Sequence, residues 1–228
     1  MPSWFMTGFY NMASVIPAVV LAAGRSSRMG RPKATLPLGD GATFLSRIVR
    51  TFLAAGVDDV VVVVGHEAPA IIDSFETARL TARFVINREY DRGQLSSLIA
   101  GLSVVDRPGV VATLVTLVDV PLVSPATVRA VVAQYRESGA SVVRPTDGAR
   151  HGHPVLIDRS LFALFRAADP ALGAKAVIRA HASAAGDLPI VDEGAFLDID
   201  TAEDYEKITS DPSTGGAASD RSRSNGTA

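Results

Sequence analysis

The 228-residue chain contains no cysteine. That absence excludes disulfides, iron–sulfur clusters, thiolate zinc sites and a catalytic thiol, and it is compatible with a reducing cytoplasm, the location we expect. An excess of charge of either sign is lacking as well: 22 basic against 24 acidic residues leave a formal charge of −2. Such a balance argues against a phosphate-backbone binder held by global charge, so no nucleic-acid partner is expected. No apolar stretch reaches the ~20 residues that a spanning helix needs. The first basic residue is Arg25, so the start lacks the charged region of a secretory signal, and no membrane partner is expected.

With 47% hydrophobic content the chain can bury one substantial core. Residues 1–14 show neither period nor charge and read as an N-terminal extension, 15–209 as one domain, and 210–228, where apolar residues almost vanish, as a disordered tail.

The domain is organised around residues 18–33, AVVLAAGRSSRMGRPK. Ala18 to Leu21 form an apolar run that suits a parallel strand buried on both faces. The loop that follows carries Gly24, Gly30, Ser26, Ser27 and four cations, Arg25, Arg28, Arg31 and Lys33, with no acid before Asp40. Small residues let backbone N–H groups approach an anion and the cations neutralise it, so the loop reads as a polyphosphate cradle at a strand's carboxyl end. It is neither of two better-known cradles. Five residues, not four, separate Gly24 from Gly30, and Ser26 stands where a dinucleotide fingerprint needs glycine. An exposed basic loop is the alternative.

Further on, the spacing predicts a helix over 43–55, a β-branched strand over 59–64, a helix over 68–76 and a strand over 83–86. The polar segment 87–97, NREYDRGQLSS, precedes a helix over 95–105, which puts Gly93, Gln94, Ser96 and Ser97 near free N–H groups. Residues 110–118 form the most apolar strand, expected at the sheet centre, and deliver Asp119. An unpaired carboxylate there is costly, and the position suits either Mg²⁺ beside phosphates or a turn-forming Asp. Ser124-Pro125 opens a helix to about Glu137, and a strand over 140–144 precedes the polar loop 145–153 and a strand over 155–157. His151 and His153 are only one residue apart, with no third ligand nearby, which disfavours a metal pair. His66 and Glu67 read as a surface turn. Helices are expected over 161–167 and 174–181 and strands over 188–191 and 196–200, before a helix capped by Thr201 with Asp204. Alternating strands and helices indicate an α/β fold, a three-layer sandwich around a mainly parallel sheet.

Leu21, Ala22, Ala23, Gly24, Ser26, Arg28, Met29, Gly30 and Lys33 resemble the LAAGxSxRMGxxK signature of the MobA/MocA-like nucleotidyltransferases. Asp119-Val120-Pro121 is similar to that family's DxP, Gly93-Gln94-Leu95-Ser96-Ser97 to a Gly-x-Leu-x-Ser stretch of its cytidylyltransferase branch, and Gly152-His153-Pro154 to the GHP segment of that branch. The resemblance implies a Rossmann-like fold of the nucleotide-diphospho-sugar transferase type, with a short antiparallel element near His153. It implies CMP transfer from CTP to molybdenum-bearing molybdopterin, in which an acceptor phosphate attacks the α-phosphorus and no general base is needed. The roles it implies are Arg28 and Lys33 on the phosphates, Asp119 with Asp198 or Asp200 on Mg²⁺ (or Mn²⁺), and Ala22, Ala23 and Ser96 beside the base. His153 and Lys175 would border the acceptor, although Lys175 stands where relatives have arginine and loses the planar fork. A molybdoenzyme or its chaperone would be the onward partner. A sugar- or alcohol-phosphate nucleotidyltransferase and a non-catalytic molybdopterin carrier remain the alternatives.

Overall fold

The structure, a computed structural model, describes residues 14–210. The extension expected over 1–14 lies outside the described residues apart from Ser14, and the expected tail apart from Ser210, which closes the last helix instead.

Strands β1 (Ala18–Ala22), β2 (Val60–Val64), β3 (Arg83–Ile86), β4 (Ala112–Leu117), β5 (Val142–Thr146), β6 (Val155–Asp158) and β7 (Asp187–Pro189) form one sheet in the order β3-β2-β1-β4-β6-β5-β7. Pairing is parallel except that β6 runs antiparallel to both β4 and β5, the inserted element that the resemblance implied. The apolar strand leading to Asp119 is the fourth of seven, as its composition predicted. Side chains alternate across the sheet. Ala18, Val20 and Ala22 enter one core layer, with α1 (Phe44–Ala54), α2 (Ala68–Glu76), α4 (Pro125–Ser138) and α7 (Ala202–Ser210). Val19, Leu21 and Ala23 enter the other, with α3 (Gln94–Val105), α5 (Phe162–Ala167) and α6 (Gly173–His181).

Local chemistry sets the element boundaries. Thr43 caps α1 reciprocally with Ser46, Ser124 accepts from Thr127 N–H at the start of α4, and Thr201 and Asp204 exchange bonds at the start of α7. The chain steps from β1 outward to β3, then crosses back to β4 on the other side of β1. That reversal opens a crevice at the carboxyl ends of β1 and β4, where ligands of open α/β sheets bind.

One predicted element is absent. Residues 196–200 form no strand; they cross the carboxyl end of β4 as irregular chain. The alternation that suggested a strand comes from a single anchor: Ile199 is fully buried and donates its N–H to the Asp119 carbonyl at 2.9 Å, while Leu197 faces solvent.

Candidate active site

A cavity of about 360 Å³ occupies the crevice. Leu21, Ala23 and Gly24 reach it from the end of β1, and Ser26, Ser27, Arg28 and Lys33 from the loop that follows. Tyr90, Gly93, Gln94 and Ser97 form the opposite wall, and Leu117, Val118, Asp119 and Asp200 close the floor. The cradle loop takes its shape from Ser26, which adopts a left-handed conformation (φ 49°) while its hydroxyl accepts from Lys33 N–H at 3.1 Å. Across the mouth, Arg25 makes a two-pronged ion pair with Asp91, at 2.8 and 2.9 Å, joining the cradle to the opposite wall.

Lys33 is the electrostatic centre. Its side chain is only 9% exposed, and Nζ donates to Asp119 Oδ2 at 3.2 Å and to Asp200 Oδ1 at 2.5 Å. Arg28 donates to the other oxygen of Asp200 at 3.1 Å. The Lys33 hydrogen bond, working against partial burial and helped by Arg28, holds the Asp200 carboxyl below its ordinary range. Asp198 is pushed the other way: loss of hydration and the charge of Asp119 raise it, with Asp200 adding and His153 and Lys33 opposing. Burial pushes the His153 imidazole down, against the Val115 carbonyl and the charges of Asp198 and Asp119, so at neutral pH it adds no cation. Three carboxylates therefore face two cations.

This donor set fits a hard divalent ion. Asp119 Oδ1 is buried and has no hydrogen-bond partner among the described residues, a cost that a bound cation would remove. Asp200 is bound by both Lys33 and Arg28, whereas Lys33 reaches only Oδ2 of Asp119. Asp198 does not line the cavity, but it lies near enough for the Asp119 charge to raise it, so Asp119 with Asp198 is the pair with charge left for an ion. Among the described residues no three His, Cys, Asp or Glu side chains converge on one point. Mg²⁺ and Mn²⁺ do not need such a cage, because Mg²⁺ in particular is held by one or two carboxylates and completes its shell with water and phosphate oxygens.

The residues predicted for the site are thus divided. Leu21, Ala23, Gly24, Ser26, Arg28, Lys33, Gly93, Asp119 and Asp200 meet at the cavity. Ala22 does not: the strand alternation turns it into the opposite core layer. Nor does Ser96, whose hydroxyl accepts from Asn87 and lies 2.8 and 2.9 Å from the carbonyls of Gly93 and Glu89. Its neighbour Ser97 faces the cavity instead. His153 and Lys175 lie beyond the cavity on the β6 side, near Asp198, with His153 Nδ1 3.4 Å from the Val115 carbonyl and Lys175 exposed on α6. His153 is held by its own N–H, which donates to the Ala195 carbonyl at 2.8 Å, and a Cβ on the preceding Gly152 would collide with that same carbonyl. Tyr90 escaped the sequence reading; its only signal was its place in the polar segment before Gly93.

A cationic loop with two glycines beside a lysine-bridged carboxylate pair, at the switch point of a mostly parallel sheet, places the site where Rossmann-like α/β proteins bind their ligands. The sequence pattern of the MobA-like NTP transferase domain matches residues 18–192, and the chain belongs to that family. It is 31% identical over 201 residues to nicotine blue oxidoreductase of Paenarthrobacter nicotinovorans, covering 85% of this chain and 96% of that one. It is 34% identical over 136 residues to a probable molybdenum cofactor guanylyltransferase of Mycolicibacterium paratuberculosis, covering 60% of this chain and 66% of that protein. Its fold is similar to the crystal structure of Rv0371c from Mycobacterium tuberculosis in complex with manganese (TM-score 0.68, 26% identity), with 87% of this chain and all of the other covered. The chain is a nucleotidyltransferase of the MobA-like family.

Proposed function

We propose that the chain transfers CMP from CTP to molybdenum-bearing molybdopterin. The observation that carries the reading is the Lys33 bridge between Asp119 and Asp200 at the floor of the cradle cavity. A nucleoside triphosphate and a phosphorylated acceptor repel each other, so the reaction needs cations at the α-phosphate more than it needs a base. Lys33 and Arg28 would supply that charge from the cradle. The acceptor phosphate oxygen forms a bond to the α-phosphorus while the bond to the β-phosphate oxygen breaks, and pyrophosphate leaves. Mg²⁺ or Mn²⁺, held by Asp119 and Asp198, would neutralise the phosphates during this exchange; the manganese complex of the Mycobacterium tuberculosis relative supports such a site. His153 and Lys175, on the far side of Asp119 from the cradle, would face the acceptor. The product would pass to a molybdoenzyme in the cytoplasm, where nucleoside triphosphates are made.

Ala23, Gln94 and Ser97 line the cavity; in this reading they border the base, where the Ala23 methyl group would leave less room than glycine and Gln94 and Ser97 would offer polar groups to cytosine. Relatives named guanylyltransferase support GTP as the second reading. The oxidoreductase name of the Paenarthrobacter relative finds less support: Ser26 fills the fingerprint position that a dinucleotide cofactor requires, and the cations suit a triphosphate.

Pyrophosphate release with each nucleoside triphosphate, with and without molybdenum-loaded molybdopterin, tests the reading. CTP should exceed GTP in kcat/KM by ~1–3 kcal/mol, the range a few pocket contacts supply. Ala23→Gly with Gln94→Pro should narrow that margin, since proline is tolerated at the first position of α3. A preference for GTP would establish the second reading, and no release with any triphosphate would remove the transferase proposal for this acceptor.

A further inference from the structure

The carboxylates of the site come from two stretches with no regular ladder between them. Asp119 opens the segment 119–124 that leads into α4, whereas Asp198 and Asp200 lie on the crossing segment 192–200, whose one regular feature is a short 3₁₀ turn at Glu193–Ala195. Three fastenings hold the second stretch against the first. At one end Ile199 N–H donates to the Asp119 carbonyl at 2.9 Å. In the middle Gly194 lies so close to Leu122 that a Cβ would collide with the Leu122 carbonyl oxygen. At the other end stands Asp192. One of its oxygens accepts from Ser124 N–H at 3.0 Å and from the Thr127 hydroxyl at 2.5 Å; the other accepts from Gly194 N–H at 3.2 Å. Thr127 is buried, so its hydroxyl has little recourse to water.

We infer that Asp192 is the positioning residue of the metal-binding carboxylates: it clamps the start of the crossing segment to the N-terminus of α4 and so sets where Asp198 and Asp200 stand relative to Asp119. This inference rests on the proposed metal site. Asp192 touches neither the cavity nor Lys33, so it acts only through the segment it fastens. An ordinary turn residue would satisfy one or two N–H groups of its own loop. Asp192 instead joins residues 65 and 68 positions away, and as an ionised carboxylate it has the lone pairs to serve all three donors at once. Without it the crossing segment keeps Ile199 and the Ala195 carbonyl as anchors, the register of Gly194 on Leu122 loosens, and the start of the segment that leads to Asp198 gains freedom to drift.

The test is Mn²⁺ binding, followed by electron paramagnetic resonance of the free ion, on the intact chain and on Asp192→Ala, Asp192→Asn, Thr127→Val and Asp119→Asn. Asp192→Ala should weaken Mn²⁺ binding about tenfold, the lower end of what partners behind metal ligands contribute. Asp192→Asn, which keeps one acceptor oxygen, should fall between it and the parent. Turnover of Asp192→Ala should recover as Mn²⁺ is raised, because the ligands themselves are intact. A lowered melting temperature with unchanged Mn²⁺ affinity would show that Asp192 merely braces the fold, and the inference fails while the metal site stands on the loss of binding in Asp119→Asn. If Asp119→Asn binds Mn²⁺ as the parent does, the metal reading itself falls and takes the inference with it. Should Asp192→Ala not fold, Thr127→Val decides: it removes one hydroxyl from the clamp, and weaker Mn²⁺ binding supports the inference whereas unchanged binding overturns it.

Discussion

The two ends of the sheet treat their carboxylates differently. At the amino end, Asp59 just before β2 accepts from Arg83 at 2.7 Å and from Arg107 at 2.6 Å, and Asp106, which ends α3, accepts from Arg159 at 2.8 Å and Arg166 at 2.7 Å. Burial alone would raise Asp59, but hydrogen bonds from Arg107 and Arg83 overcome it and hold the carboxyl below its ordinary range. Asp106 is held low in the same way, by Arg166 first and then Arg159. Even the orphaned Arg107 Nη1 belongs to a guanidinium that is already bound. At the carboxyl end, Lys33 must serve two acids, Asp119 Oδ1 has no partner, and Asp198 is raised rather than lowered. Paired acids at one end staple strands together. Under-compensated acids at the other end are costly, and in the proposed reading a divalent cation offsets that cost, as expected where stability is given up for function.

This contrast can be broken at either end. The largest effect should come from Asp119→Asn, which keeps the shape and removes a charge: turnover should fall about a thousandfold with the fold intact, the upper range for losing one transition-state contact. Wild-type turnover at saturating Mg²⁺ would end the metal role. Lys33→Ala should lower kcat/KM about a hundredfold. It should also lower stability by about 1–3 kcal/mol, less than a fully buried pair because Asp200 is 39% exposed. A change in melting temperature alone would make Lys33 structural.

Asp59→Asn should do the reverse, costing about 1 kcal/mol of stability, since its arginines are more than a third exposed, and leaving kcat/KM unchanged. Any loss of turnover there would blur the division between the ends. The smallest effect is in the pH dependence. Because the folded values of Asp59 and Asp106 are depressed, their contribution is complete above the unfolded carboxylate value near 3.9 and is lost as pH falls through the lower folded values. His153 adds a loss at higher pH, because burial lowers its folded value and the unfolded imidazole takes up a proton first; the metal-free melting temperature should ease as pH falls through about 6.5 and decline further below about pH 4. Asp59→Asn should flatten the decline below about pH 4 and leave the one near pH 6.5 in place; an unchanged slope below about pH 4 would point to another carboxylate.

Much of the fold was legible because burial leaves a local signature. Residues 68–76 and 83–86 form the predicted helix and strand at the predicted bounds, and the apolar run before Asp119 is central because only a strand covered on both faces tolerates such composition. The cradle was legible for the same kind of reason: glycine, serine and cations cluster within one loop. The segment 196–200 was misread because Ile199, flanked by acids, imitates the alternation of a half-buried strand while being a single plug in the core.

What the chain determined by itself are properties that neighbouring residues share: helix caps, strand periodicity and the glycine- and cation-rich loop after β1. Which serine faces the cavity, Ser97 rather than Ser96, and which alanine, Ala23 rather than Ala22, depend on a rotation of one residue that pattern alone does not specify. The meeting of Arg28 with Asp200 spans 172 positions, and the Asp192 clamp on Thr127 spans 65. Contacts over such separations leave no periodic trace, because their geometry is set by the order in which strands stack and not by the residues on either side. Tertiary structure alone decided that one lysine should stand between two acids and that a third should be left without a cation of its own.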